Sequence, residues 1–142
     1  MNASMSITHK SLGDLMSANP ALCSTGWRPS NCTDSEFSIL REELAQAVEK
    51  VDLCRRLLGD ERFLREHRGQ FLAYNLKHIA EEWDFDSVEK QRRSSYNGYV
   101  PEGAVVAAAM LEGLEVFSKC GRIYILMPHP RARNEDNGDP SS

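Results

Sequence analysis

Basic side chains at regular spacing are the first feature of the sequence that could carry chemistry. Three arginines recur every three residues between positions 62 and 68, and on a helix they would form one ridge. Arginine and lysine neutralise phosphates, and tyrosines that follow a second basic cluster could stack on bases. The alternative is a set of solvated charges balanced by neighbouring carboxylates. The candidate nucleic-acid-binding residues are Arg62, Arg65, Arg68, Lys90, Arg92, Arg93, Lys119 and Arg122.

Three aromatic residues lie in segments rich in turn formers. Trp27 follows Gly26, and Tyr96 and Tyr99 lie on either side of an Asn-Gly pair. Tryptophan and tyrosine are frequent anchors of protein interfaces, although Trp27 could instead dock onto its own domain. The sequence therefore gives Trp27, Tyr96 and Tyr99 as candidate protein-binding residues.

Residues with catalytic potential are few. His78 and Glu82 are four apart on a predicted helix, a spacing more typical of a surface contact than of a catalytic pair. The chain has no glycine-rich phosphate loop, nucleophile elbow or H-E-x-x-H sequence. Its four cysteines form no C-x-x-C pair, so zinc binding is not predicted. We expect a protein that is not an enzyme and that has no cofactor or metal.

Charge and composition limit the class of protein. A chain of 142 residues with a net charge of −4 suits one small domain and disfavours general binding to polyanions. The N-terminal residues lack the basic and apolar regions of a signal peptide, and no apolar stretch is long enough for a membrane span. We therefore expect a cytoplasmic protein that has no contact with membranes.

The clearest predicted element is an amphipathic helix from residue 34 to residue 58. Thr33 and Glu36 have the spacing of a capping box, and Gly59 is a C-terminal stop. Apolar residues recur every three or four positions, which predicts packing on the chain's own domain. The same seam follows a heptad repeat, so a homodimer through residues 35–58 is the alternative.

The other segments are assigned by the same signals. Residues 1–33 are predicted to be a partly ordered arm with one short helical turn around Leu12–Met16. One or two helices follow between residues 60 and 83, broken at Gly69. A further helix starts at Pro101 and stops near Gly113, and a β-hairpin then ends in the apolar strand "RIYILM", which we expect to be central. Residues 129–142 are predicted to be a flexible acidic tail.

The order of these elements predicts an α+β fold that is mainly helical. Three or four helices pack with one C-terminal hairpin in a single domain over residues 34–128, and a winged-helix layout is possible. The helix over 101–113 is apolar on nearly every side and has no residue suited to reading bases. We therefore interpret it as core.

The phrases "YNLKHIAEEW" and "YVPEGAVVAAAMLEGLEV" give the chain a resemblance to small accessory proteins of phages and integrative elements. The resemblance implies a mobile-element origin and no particular activity. The leading hypothesis is a non-enzymatic protein that binds a host protein or ribonucleoprotein, as anti-defence (anti-CRISPR-like) inhibitors do. The alternative is a winged-helix DNA-binding regulator.

Overall fold

The computed structural model describes residues 3–85 and 96–128, and its fold is α+β and mainly helical. Three of the candidate basic residues and the predicted acidic tail lie outside these residues: Lys90, Arg92, Arg93 and residues 129–142. The described helices are α1 (Ala3–Ala18), α2 (Asp34–Ala45), α3 (Val48–Leu58), α4 (Glu61–Glu66), α5 (Ala73–Glu82) and α6 (Glu102–Leu111). The described strands are β1 (Leu22–Cys23), β2 (Gly26–Trp27), β3 (Gly69–Leu72), β4 (Glu115–Lys119) and β5 (Arg122–Met127).

Helix α6 lies at the centre of the molecule. Every residue from Gly103 to Ala109 is buried, which confirms that this helix is core. Helices α1, α3 and α5 pack against it, as do the short β1–β2 pair and β4. The side chains on α6 are mostly alanine and valine, so its neighbours approach its backbone closely.

The predicted helix over residues 34–58 is two helices. The capping box is confirmed, because Thr33 and Glu36 each bond the other's backbone N–H at 3.0–3.1 Å. The expectation of one continuous helix is wrong, since Ala47 leaves helical geometry with φ −95° and ψ 37°. No glycine or proline causes the break. Helix α2 packs on β1 whereas α3 packs on α6 and α1, so tertiary contacts outweigh helix propensity here.

The apolar seam of these two helices packs within the chain, as predicted. Leu44, Val51, Cys54 and Leu58 are buried in the core. A homodimer through residues 35–58 stays a prediction, and it would have to use other side chains, such as the exposed Ile39.

The N-terminal segment is more regular than the sequence suggested, and the expectation of one short turn around Leu12–Met16 is wrong. Helix α1 has 16 residues, and Leu12 and Met16 pack into the core. The guanidinium of Arg41 holds the C-terminal end of α1 in place. It donates hydrogen bonds of 3.1–3.2 Å to four carbonyl oxygens at the end of α1 and just after it, those of Met16, Asn19, Pro20 and Leu22.

The larger sheet has the strand order β3–β5–β4, and both pairs are antiparallel. Strand β5 is central, as predicted, whereas β3 was not foreseen because its residues were assigned to helices around Gly69. The order α4, β3, α5, α6 and hairpin is compatible with a winged-helix layout. However, α6 precedes the hairpin and is buried, so it presents no surface that could read bases.

Gly103 gives a direct test of the packing around α6. A Cβ at this position would meet the backbone carbonyl oxygen of Cys23 at 1.9 Å. We expect Gly103→Ala to lower the free energy of unfolding by about 2–4 kcal/mol, because backbone atoms must move. Gly13→Ala in α1 is the matched control, since a Cβ added there would have no atom of another part of the fold within 4 Å. It should be neutral or stabilise by about 1 kcal/mol. Urea unfolding measures both, and equal stabilities of the two variants would contradict the packing.

Candidate functional site

Two cavities join on one side of the molecule. The larger has a volume of about 840 Å³ and is lined by Trp27, Leu72 and Ile123 among others. The smaller has a volume of about 440 Å³ and is lined by tyrosines and by charged residues of α5. Thr25, Tyr74 and Glu102 line both cavities. We call the combined surface the aromatic groove, after its side chains Trp27, Tyr74, Tyr96 and Tyr99.

The groove brings together all three residues that the sequence gave as protein-binding candidates. Trp27 is half-buried and packs against the core, so its docking onto the domain is confirmed. Tyr96 and Tyr99 are 69% and 64% exposed, and Tyr74, which sequence reasoning missed, is 54% exposed. Five large hydrophobic side chains of the described residues are exposed, and three of them are these tyrosines. The other two are Ile39 and Leu126. Exposed aromatic area is thus concentrated on one surface.

The short segment that carries Tyr96 and Tyr99 is fixed to the end of α5. The side-chain amide of Asn97 donates to the carbonyl oxygens of Ala80 and Trp83 at 2.9 and 2.8 Å. These carbonyls lie at the C-terminus of α5, where no further turn of helix satisfies them. Lys50 Nζ donates to the Asn97 carbonyl at 2.6 Å from α3. The two tyrosines are therefore exposed on a backbone that is held from two helices.

A buried ion pair forms the floor of the smaller cavity. Lys77 and Glu81 are each 6% exposed, and Lys77 Nζ lies 2.8 Å from Glu81 Oε2. The same carboxylate accepts from the backbone N–H of Val100 at 2.9 Å. His78 Nδ1 lies 3.1 Å from Glu81 Oε1, so the neighbouring carboxylate of His78 is that of Glu81. The Lys77 ammonium also lies 4.5 Å from the ring centroid of Tyr99.

The hydrogen bonds to Glu81 favour its ionised form. Burial of the carboxyl group works against ionisation, but the bonds from Lys77, from the Val100 N–H and from His78 together hold the pKa of Glu81 below its ordinary value of 4.5. Glu81 is therefore a fixed anion matched by a fixed cation. The pair positions Tyr99, because Val100 is the next residue in the chain.

Glu102 is the carboxylate of the groove without a matched charge. It lies at the first position of α6 and is half-buried where the two cavities meet. Burial raises the pKa of Glu102 above its ordinary value of 4.5, and the more distant charge of Lys77 offsets only part of that effect. Within the described residues the side-chain carboxylate of Glu102 has no hydrogen bond or ion pair, whereas Lys77 is already matched by Glu81.

The candidate basic residues are not brought together. The predicted arginine ridge does not form, because α4 ends at Glu66 before it reaches Arg68. Arg62 packs its guanidinium 4.4 Å over the ring of Trp83 and donates to the Asp84 carbonyl, so it serves the fold. Lys119 and Arg122 are exposed cross-strand partners beside the hairpin turn, and Arg122 also lines the larger cavity. Arg65 is exposed on α4.

The described residues offer no metal site and no membrane helix. No three His, Cys, Asp or Glu side chains in residues 3–85 and 96–128 could together hold a metal ion. In the same part of the chain, no helix is long and apolar enough to cross a membrane. The four cysteines are unpaired, and burial raises the pKa of the Cys54 thiol to about 12, so that thiol stays protonated at neutral pH.

Comparison of the chain with known proteins gives no match. No protein-family model, curated protein or solved structure matches this chain. Its function has to be argued from the groove itself.

We expect Lys77→Met to lower the free energy of unfolding by about 3–5 kcal/mol at neutral pH, because it leaves the buried Glu81 carboxylate without its cation. The double variant Lys77→Met/Glu81→Gln should be clearly more stable than the single one, since the amide oxygen of Gln can still accept from Val100. Urea unfolding of all three proteins measures this. If the double variant is no more stable than Lys77→Met, the unpaired charge is not the cause.

The two glutamates should give opposite dependences of stability on pH. The folded-state pKa of Glu81 is lowered, so its contribution is present above pH 4.5 and is lost as the pH falls through the folded-state pKa. The folded-state pKa of Glu102 is raised, so wild type should lose stability relative to Glu102→Gln as the pH rises above 4.5. Urea unfolding of wild type, Glu81→Gln and Glu102→Gln across the acidic range checks both signs. If the stability of wild type relative to each variant changed with pH in the same direction for both, the opposite pKa shifts of the two glutamates would be refuted.

Proposed function

We propose that this protein is not an enzyme and acts by binding a protein partner through the aromatic groove. The observation that carries the proposal is the concentration of three exposed tyrosines and the edge of Trp27 around one pair of joined cavities. Soluble proteins seldom leave aromatic area exposed on one surface unless it is an interaction site.

The geometry of the groove suits binding by insertion. The larger cavity has an apolar wall formed by Trp27, Leu72 and Ile123, and its volume is within the range of about 300–1,000 Å³ typical of ligand pockets. Tyrosine and tryptophan lose little side-chain entropy on binding and offer both apolar and polar contacts. The tyrosine segment is already held by Asn97 and Lys50, so less ordering is needed on association.

The charges of the smaller cavity favour a protein over a nucleic acid. Two carboxylates, those of Glu81 and Glu102, lie along the smaller cavity, and phosphates would be repelled by the unmatched one. The exposed cations of the candidate set, Arg65, Lys119 and Arg122, are spread over three different elements. The resemblance to phage and mobile-element accessory proteins extends the proposal. The partner would be a host protein or ribonucleoprotein, and the consequence would be inhibition, as in anti-defence proteins.

Alanine substitutions in the groove test the proposal. We expect Tyr99→Ala and Trp27→Ala each to weaken capture of the partner from nuclease-treated bacterial lysate by about tenfold or more, because interface anchors contribute about 2 kcal/mol or more. Capture is measured by pull-down with tagged protein and quantitative mass spectrometry. Ile39→Ala is the matched control, since Ile39 is 60% exposed and lines neither cavity of the groove.

Folding must be checked beside capture. Circular dichroism and urea unfolding should show that Tyr99→Ala stays folded, because Tyr99 is an exposed residue. Capture that is equal in wild type, Tyr99→Ala, Trp27→Ala and Ile39→Ala would refute the groove as the binding surface. In a parallel pull-down without nuclease, recovery of nucleic acid alone, lost as salt rises, would favour the DNA-binding alternative.

A further inference from the structure

We propose that the partner presents an arginine or lysine side chain that enters the aromatic groove at Glu102, beside the rings of Tyr74 and Tyr99. This inference rests on the proposed function and adds the chemistry of the group that is bound. It follows from the charges, rings and cavities around the first turn of α6.

The smaller cavity has one charge that is not matched within it. Its formal charges are those of Lys77, Glu81 and Glu102, with His78 at its edge. Lys77 and Glu81 neutralise each other at 2.8 Å, and His78 also contacts Glu81. The charge left over in the smaller cavity is the Glu102 carboxylate, whereas the larger cavity adds Arg28, which is paired with Asp34, and Arg122. A single cation from outside would complete the balance.

The surroundings of the Glu102 carboxylate strengthen its attraction for a cation. Glu102 is half-buried, so an ion pair formed there is less screened by water than a pair on the open surface. Tyr74 and Tyr99 line the same cavity, and aromatic faces attract cations. The protein already uses this attraction, because the Lys77 ammonium lies 4.5 Å from the Tyr99 centroid and 5.8 Å from that of Tyr74.

The larger cavity suits an apolar neighbour of the basic residue. Glu102 lines both cavities, and Trp27, Ile123 and Arg122 line the larger one. A partner residue bound at Glu102 would therefore have an apolar side chain of the same partner beside it. An acidic group is disfavoured next to the Glu102 carboxylate.

A carboxylate in the first turn of a helix stabilises that helix even where it binds nothing. A control variant must therefore separate this effect on stability from an effect on binding. Glu102 interacts favourably with the helix dipole of α6. Glu61 occupies the same first position in α4, is exposed, and lines neither cavity of the groove. Glu61→Gln is therefore the matched control for Glu102→Gln.

The test uses three small probes and the full chain labelled with ¹⁵N. N-acetyl-arginine methylamide and N-acetyl-lysine methylamide carry the proposed side chains, and N-acetyl-norleucine methylamide is the uncharged analogue. We expect both basic probes to shift the amide resonances of Tyr99, Val100 and Gly103 in wild type and in Glu61→Gln. In Glu102→Gln the apparent Kd should rise by about five- to tenfold, the effect of one partly desolvated cation contact.

Each other outcome contradicts the inference. It falls if the norleucine probe shifts the same resonances equally, if Glu102→Gln binds the basic probes as wild type does, or if neither basic probe moves these resonances. Partner capture separates this failure from failure of the proposed function. Capture lost in Tyr99→Ala but unchanged in Glu102→Gln would keep the groove as the binding surface and reject the basic side chain.

Discussion

The burial of α6 is the constraint on which the rest of the structure depends. A helix of alanine and valine has no polar face, so every side of it must be covered by another element. Helices α1, α3 and α5, the β1–β2 pair and β4 together supply that cover. The backbone after β1 approaches α6 closely at Gly103, whose N–H donates to the Ser24 carbonyl at 2.8 Å. The β1–β2 turn is thereby brought beside the start of α6, and the groove opens where the two meet.

Local signals predicted the elements whose boundaries are set by their own residues. The capping box at Thr33, the stop at Gly59 and the apolar composition of α6 each act within a few residues, and each is confirmed. The hairpin turn is another example, since Gly121 adopts φ +77°. The break at Ala47 has no such signal, because it arises from the different surfaces on which α2 and α3 pack. Strand β3 was missed for the same reason, since it needs β5 as a partner.

The candidate site was predictable in part. Trp27, Tyr96 and Tyr99 could be selected because exposed aromatics in turn-rich segments are unusual, and the fold places all three around one groove. Tyr74 and Glu102 could not be selected, since their positions in helices carry no sign of exposure. The Lys77–Glu81 pair has the four-residue spacing of any surface ion pair. Only its burial under the 96–101 segment distinguishes it, and that contact joins residues far apart in the chain.

The anchoring of Asn97 ties the groove to the end of α5. Its side chain bonds the carbonyl oxygens of Ala80 and Trp83 at 2.9 and 2.8 Å, and its backbone N–H donates to the Glu81 carbonyl. Tyr96 and Tyr99, which lie on either side of this residue and Gly98, therefore take their positions from the last turn of one helix. A change in the way α5 ends would move both rings together, so the two tyrosines meet a partner as one unit.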